Sequence, residues 1–320
     1  MNKILITGIA GFIGYHTAKE LLKEGYKIIG IDNLDNSYNI QLKEHRLFKL
    51  KSFPNFTFFK QDITDFEGLN KIFSVNKIVR IIHLAGKAGV RKSIEAPKAY
   101  INSNIIGTIN LLELSKIYRI SSFINASSSS VYGESQIPFI ESDCINKINS
   151  PYAITKYTTE LFSYIYHLNY KLDITNLRFF TVYGPIGRPD MAIFKFIERI
   201  YNKKPIYVYG DGNQTRSFTY IDDIVQGIIK AFDLKGFNII NLGVDKNWSI
   251  NYTINLIEKE LNKKAKILYI DRNIMDILHT KPDIAKAKKI LNWMPKYDLK
   301  EGIKKTIKWH RENRTIIDKI

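Results

Sequence analysis

Short apolar runs alternate with longer amphipathic stretches through the first half of the chain. The runs at 3–7, 27–31, 56–60, 78–85, 122–126 and 173–179 read as strands. Several are too apolar to face water on one side. Between them, apolar positions recur at helical spacing over 12–24, 97–118 and 152–170. Continuous apolar strands separated by helices predict an α/β fold: a doubly wound parallel sheet covered on both faces, with right-handed crossovers. The rhythm changes after about residue 180. The Gly and Pro content of 183–190 marks a loop. Beyond it the pattern predicts a helix over 191–201, a short strand at 205–209 and a turn at Gly210-Asp-Gly-Asn. A helix over 221–232 capped by Asp222 or Asp223, a further sheet strand at 238–242, and helices over 250–261 and 284–291 follow. The expected division is interleaved. Residues 1–179 plus about 218–244 form the sheet domain, and about 180–217 plus 245–320 form a smaller α/β domain.

Composition narrows the class. The chain has 320 residues and is 45% hydrophobic, enough for a full core. No apolar run approaches the ~18 residues of a membrane span. The first residues, Met1-Asn-Lys-Ile-Leu-Ile-Thr-Gly, enter a strand at once and leave no room for a signal peptide. The single cysteine, Cys144, offers neither an internal disulfide nor a metal cluster, and the histidines show no metal spacing. A soluble, cytoplasmic, metal-free protein is expected. The net charge of +17 raises the question of nucleic acid. The lysines are dispersed, however, and basic runs stop at doublets such as Lys263-Lys264, Lys288-Lys289 and Lys304-Lys305. A solvated basic surface that helps collect dianionic small molecules is expected, with no nucleic-acid or membrane partner.

Two motifs carry candidate chemistry. Gly8-Ile-Ala-Gly11-Phe12-Ile13-Gly14 follows the first strand and opens the first helix. Gly8 permits a tight turn, a glycine here lets a pyrophosphate approach a helix N-terminus, and Gly14 permits close helix–sheet packing. Asp32 ends the second strand 24 residues after Gly8. An acid there accepts from a ribose 2′-hydroxyl and repels a 2′-phosphate, which favours NAD over NADP. The sheet is then of the Rossmann kind. Downstream, Ser127-Ser128-Ser129-Ser130 closes a strand, and Tyr152 precedes Lys156 by one helical turn. A lysine on the same helix face can lower a tyrosine's pKa toward the working pH, as a general base requires.

These segments resemble the extended short-chain dehydrogenase/reductase family along nearly the whole chain. The resemblance rests on TGIAGFIG, Asp32-Asn33, Asp62-Ile63, His83-Leu84-Ala85-Gly86, Asn104-Ile-Ile-Gly107-Thr108, SSSSVYG, YAITK and Arg216-Ser-Phe-Thr-Tyr-Ile-Asp222-Asp223. It implies a catalytic set of Ser128, Tyr152 and Lys156, and NAD held by Gly8, Gly11, Phe12, Ile13, Gly14, Asp32, Asn33, Asp62, Ile63, Leu84, Ala85, Gly86, Asn104, Tyr152 and Lys156. Family members that dehydrate or decarboxylate nucleotide sugars carry a Glu, or Asp-Glu, before Val-Tyr-Gly. This chain has Ser129 and Ser130 there, which implies epimerisation at C4.

The stretch from Arg178 to Phe196, with Thr181, Arg188 and Asp190, is similar to the UDP-glucuronate 4-epimerase group, as is Ala88-Gly-Val-Arg91-Lys-Ser93. The fork of an arginine can hold a C6 carboxylate. That role falls to Arg188, helped by Thr181 and Ser127 or Ser129; a loop ion pair with Asp190 is the alternative. By the same resemblance Arg216 binds the diphosphate and Asp276 the uridine ribose, and Lys87 and Arg91 line the sugar site; Tyr207 and Tyr209 alternate on a strand, where facing uracil and simple packing are equal alternatives. The chain departs from the group's pattern at Gly86, Lys87 and Lys92, and lacks its usual Pro-Gly before Asp276. Thr280 stands where some galactose epimerases have Tyr, which leaves the C2 substituent open. His83 reads as a packed core histidine. The expected activity is NAD-dependent conversion of UDP-glucuronate to UDP-galacturonate by a homodimer feeding polysaccharide synthesis. A 4-epimerase of UDP-glucose or UDP-N-acetylglucosamine, and a non-catalytic NAD-binding scaffold, are the alternatives.

Overall fold

The computed structural model describes residues 2–145, 147–272 and 276–319. Six strands occur in the first 180 residues: β1 (Lys3–Thr7), β2 (Lys27–Asp32), β3 (Phe56–Lys60), β4 (Ile78–His83), β5 (Ser122–Ser128) and β6 (Ile174–Phe179). A later strand, Phe237–Leu242, joins β6, giving the sheet order Phe237–Leu242, β6, β5, β4, β1, β2, β3. All neighbours are parallel. The doubly wound sheet expected from the apolar runs is therefore present. Every residue of β5 and β6 is buried, because helices cover both faces. Chain order reverses between β1 and β4, and such a reversal opens a crevice at the carboxyl ends of the strands.

Differences from the expected boundaries fall where the site forms. β2 runs on to Asp32 and β5 to Ser128. The apolar pattern stops earlier, yet the ladder continues through Asp32↔Lys60, Ser127↔Arg178 and Ser128↔Phe179. β4 stops at His83, two residues short of the expected run. The helix expected over 97–118 is three pieces: Pro97–Tyr100, a π-helical turn Ile101–Ile106, and Gly107–Ile117. The helix expected over 221–232 ends at Lys230, and residues 231–233 form a 3₁₀ turn. Neither Asp222 nor Asp223 caps it; Tyr220 occupies the cap position and both acids lie in the first turn. The Asp223 carboxylate instead accepts from the backbone N–H of Lys296 (2.8 Å) and Tyr297 (3.2 Å), tying down the C-terminal segment. Helices Ile40–Lys51, Phe66–Val75 and Leu299–Glu312 are additional to the expected elements; Leu299, Ile303 and Ile307 recur at helical spacing and are buried.

After residue 180 the chain builds smaller units against the sheet ends. Ile206–Tyr209 pairs in parallel with Ile267–Ile270, and helices Ala192–Tyr201, Ile250–Leu261 and Leu299–Glu312 bury apolar faces there. Among the described residues no helix is long and apolar enough to cross a membrane.

Arg46 joins the two regions. It is fully buried in Ile40–Lys51. Its guanidinium donates to the carbonyls of Ala10 (3.0 Å), Ile186 (2.6 Å) and Gly187 (3.1 Å), and to the Tyr38 hydroxyl (2.6 Å). One side chain thus pins the loop that carries Arg188 to the glycine turn after β1. Arg46→Met strips these carbonyls of their donor, and each buried orphan costs ~1–3 kcal/mol. The urea midpoint should fall by the equivalent of about 3 kcal/mol or more; an unchanged midpoint would show that the pin contributes nothing.

Candidate active site

A cavity of about 650 Å³ lies along the carboxyl ends of β1, β2, β4 and β5. Its floor is the turn between β1 and the helix Phe12–Lys23, and Gly8, Gly11, Phe12, Ile13 and Gly14 all line it. Gly8 has φ +68°, and a Cβ there would stand 2.7 Å from the Ala85 nitrogen. Position 8 is therefore closed to any side chain. No side chain caps the Phe12–Lys23 helix, which leaves its first N–H groups available to an anion.

Acids gather at one end. Asp32 Oδ2 accepts from the Ala10 N–H (3.1 Å) and Oδ1 from the Leu34 N–H (2.8 Å). Burial pushes its pKa up, and the Lys43 charge 3.9 Å away works against that. Asp62 accepts from Asn33 Nδ2 (2.7 Å) and from the Thr64 N–H (2.8 Å). Burial opposes ionisation of Asp62, but these bonds outweigh it and hold its pKa below the usual range. Ile63, Leu84, Ala85 and Gly86 complete this wall. Asn104, expected to touch the cofactor, stands behind the wall at 1% exposure. Its Oδ1 accepts from the Lys87 N–H (2.7 Å), and its Nδ2 donates to the Lys87 carbonyl (3.0 Å) and to Thr155 Oγ1 (2.9 Å). It lies within the π-helical turn Ile101–Ile106. Backbone donors, a glycine turn and a carboxylate at the end of β2 together fit a dinucleotide, NAD in particular.

The other end carries hydroxyls and cations. Ser127, Ser128, Ser129, Tyr152, Lys156, Thr181 and Arg188 share the same cavity. The helix Pro151–Tyr170 is capped by Ser150, whose hydroxyl accepts from the Ala153 N–H at 3.2 Å. The cap starts the helix where Tyr152 faces the strand end. Burial raises the Tyr152 pKa, while a hydrogen bond with Ser128 and the Arg188 charge pull it back down. The Lys156 ammonium, one helical turn from Tyr152, donates to the Ala126 carbonyl at 2.7 Å. Burial lowers the Lys156 pKa to about 8, opposed by Glu160. His83 is a core residue as expected: its ring bonds Thr7 (2.7 Å) and Thr108 (2.9 Å), and burial lowers its pKa to about 3.

Arg188 lines the cavity and also makes the alternative ion pair. Its Nε and Nη2 donate to Asp190 at 3.0 and 2.7 Å. Burial would lower its pKa, but Asp190 more than offsets that. Ser127 does not aim its proton at the cavity; it donates to Glu160. Lys87 reaches Asp35 (3.0 Å), which also accepts from Lys43 (2.5 Å), and Lys92 donates to the Ser37 carbonyl (3.2 Å). These bonds join loops 33–39 and 86–92 across the cavity. A further cluster holds Arg91 stacked 3.5 Å over the Tyr209 ring and paired with Asp276, beside Arg216. Tyr207 lies apart from it, half-exposed under Arg199. Thr280 is buried and accepts from the Ser217 N–H at 3.3 Å. Residues 273–275, where the usual Pro-Gly is missing, lie outside the described residues. Tyr38, Asp35, Lys43, Arg46 and Glu160 escaped the sequence reading, because their partners come from 8 to 141 positions away.

A protein-family profile described as GDP-mannose 4,6 dehydratase matches residues 5–306. The chain belongs to this family. A curated relative from Thermodesulfobacterium geofontis, a UDP-glucuronate 4-epimerase, is 49% identical over 321 residues, covering 100% of this chain and 99% of that one. The crystal structure of a UDP-glucuronic acid 4-epimerase from Bacillus cereus, in complex with UDP-glucuronic acid and NAD, superimposes with a TM-score of 0.93 at 35% identity, covering 98% and 99% of the two chains. A UDP-glucose 4-epimerase from Thermotoga maritima gives 0.91 at 33% identity, covering 98% and 100%. The family resemblance read from the motifs is borne out. The family profile is described by a dehydratase, but this member offers hydroxyls rather than carboxylates at Ser127–Ser130.

Proposed function

We propose that the chain is an NAD-dependent 4-epimerase that interconverts UDP-glucuronate and UDP-galacturonate through a 4-keto intermediate. The observation that carries the reading is one cavity shared by Ser128, Tyr152 and Lys156 and the partly buried guanidinium of Arg188. The kinship with UDP-glucuronate 4-epimerases supports it. Residues 1–179 with 218–244 serve the cofactor, and 180–217 with 245–320 serve the UDP-sugar.

Bound NAD supplies the acceptor and donor of hydride at C4. Tyr152 takes the O4 proton and returns it, so no net proton is consumed. The Ser128 hydroxyl stabilises the phenolate by donating to it, and the Lys156 charge favours that phenolate. A 4-keto uronic acid is a β-keto acid and loses CO2 when its carboxylate bond aligns with the carbonyl π-system. Arg188, with Thr181 and Ser129, holds the carboxylate away from that alignment. Two donors of Arg188 already face Asp190, which keeps the fork in place before substrate arrives. No carboxylate stands at 127–130 to protonate a leaving hydroxyl or remove a C5 proton. Arg216 and Asp276, with Arg91 and Tyr209, make the uridine diphosphate end.

The remaining expectations belong to the same proposal: a cytoplasmic enzyme supplying polysaccharide synthesis, active as a homodimer. On Pro151–Tyr170, Ile154, Leu161, Ile165 and Leu168 are exposed at helical spacing, and Ile101 and Ile106 are exposed in the adjoining π-helical segment. An apolar stripe of this kind favours burial against a second copy.

Tyr152→Phe should lower turnover by about 10³-fold, while NAD stays bound to the purified protein, read by its absorbance after release. Near-normal turnover would remove Tyr152 as base. Arg188→Ala should lower kcat/KM for UDP-glucuronate by about 10- to 150-fold relative to UDP-glucose and UDP-N-acetylglucosamine, the worth of a charged hydrogen bond. Equal losses across that panel would assign the enzyme to a neutral sugar. Leu161→Arg should convert the dimer to monomer in sedimentation; a parent protein that is already monomeric would exclude the dimer.

A further inference from the structure

One buried carboxylate beside the cavity has no part in the mechanism above. Glu160 is 1% exposed and lies one helical turn beyond Lys156. Its oxygens accept from Arg178 Nε at 2.9 Å and Nη2 at 2.7 Å. Its Oε1 also accepts from the Ser127 hydroxyl. Arg178 stands opposite Ser127 in the β5–β6 register, so both side chains meet Glu160 on the same face of the sheet.

Two consequences follow from the chemistry of these groups. A hydroxyl has one proton, and Ser127 directs it at Glu160. Ser127 therefore presents only lone pairs to the cavity and cannot donate to a substrate carboxylate. This reverses its expected share in holding the anion. The second consequence is charge. The Lys156 ammonium is buried on a neutral carbonyl. Tyr152 and Glu160 lie one turn to either side of it on its own helix, the neutral His83 lies on β4, and Arg178 of β6 is bonded to Glu160; Arg188 faces the Tyr152 side. Glu160 is the anion of this set.

We propose that Glu160 is a positioning residue, which acts through Ser127 to fix a hydroxyl acceptor at the strand end and through Lys156 to hold a positive charge beside Tyr152. The catalytic consequence rests on the epimerase reading; the charge relation does not. The rival role is neutralisation of Arg178 alone.

Glu160→Gln by itself leaves Arg178 buried without a counter-charge, and such a variant can fail to fold. The test therefore uses E160Q/R178M, which removes both charges together. In cofactor-free protein, the pH dependence of Lys156 acetylation by acetic anhydride, read by mass spectrometry, gives its midpoint. Loss of the nearby carboxylate disfavours the ammonium, so the midpoint should move down by about one pH unit. The alkaline limb of the turnover profile should move down with it. An unchanged midpoint in the folded double variant overturns the proposal and leaves neutralisation of Arg178. Ser127→Ala should lower kcat/KM for UDP-glucuronate and UDP-glucose by the same factor. A tenfold selective loss on UDP-glucuronate would show that Ser127 donates to the carboxylate and overturn the acceptor assignment. The acetylation midpoint needs no substrate, so failure of the epimerase reading would leave it standing.

Discussion

The bond from the Lys156 ammonium to the Ala126 carbonyl ties the reacting helix to the sheet. A lysine is rarely buried, because taking its charge out of water is costly. Here a strand-end carbonyl and the nearby Glu160 offset that cost. The bond requires the helix Pro151–Tyr170 to cross the end of β5 at one height. That height brings Tyr152 to the Ser128 hydroxyl. Ser150 sets the start of the helix from the other direction, so the tyrosine has little freedom along the helix axis.

Charge is divided along the cavity in a way that suits a large, polar, two-part ligand set. Asp32, Asp35 and Asp62 lie at the glycine-turn end, and Lys43 and Lys87 partly neutralise them. Arg188 and Lys156 lie at the hydroxyl end, with Arg91 and Arg216 beyond. The acid-rich end disfavours an added phosphate on a ribose, whereas the cationic end favours a diphosphate and a carboxylate. Tyr38 sits between the two ends, with the Arg46, Lys43 and Arg188 cations about its ring. The loop bearing Arg188 is thereby registered against the loop that follows β2. The two ends are parts of one packed unit rather than independent pockets.

Much of the fold was legible in the apolar runs, since a strand buried on both faces must be apolar throughout and a covering helix must carry a stripe. The ends of those runs were less legible. Asp32, Ser127 and Ser128 are polar, so the pattern stops before them, yet their backbones stay in the ladder. The break at Ile101–Ile106 carries no Gly or Pro to mark it, and Asn104, the buried residue of that turn, bonds the Lys87 backbone from a distant segment. Asp222 and Asp223 looked like caps because of their position. Asp223 instead meets backbone N–H groups 73 and 74 residues away, a contact no local rule contains.

The sequence by itself determined the parallel sheet, the glycine turn, the acid after β2 and the spacing of Tyr152 and Lys156. Each is local, set by periodicity or by a few adjacent residues. Tertiary structure decided what those residues face. It turned Lys156 to a carbonyl, gave Arg188 to Asp190, directed the Ser127 proton to Glu160 and placed Asn104 behind Lys87. These are choices among hydrogen-bond partners from different elements. Burial makes each donor find an acceptor, and only the packed chain determines which acceptor is within reach.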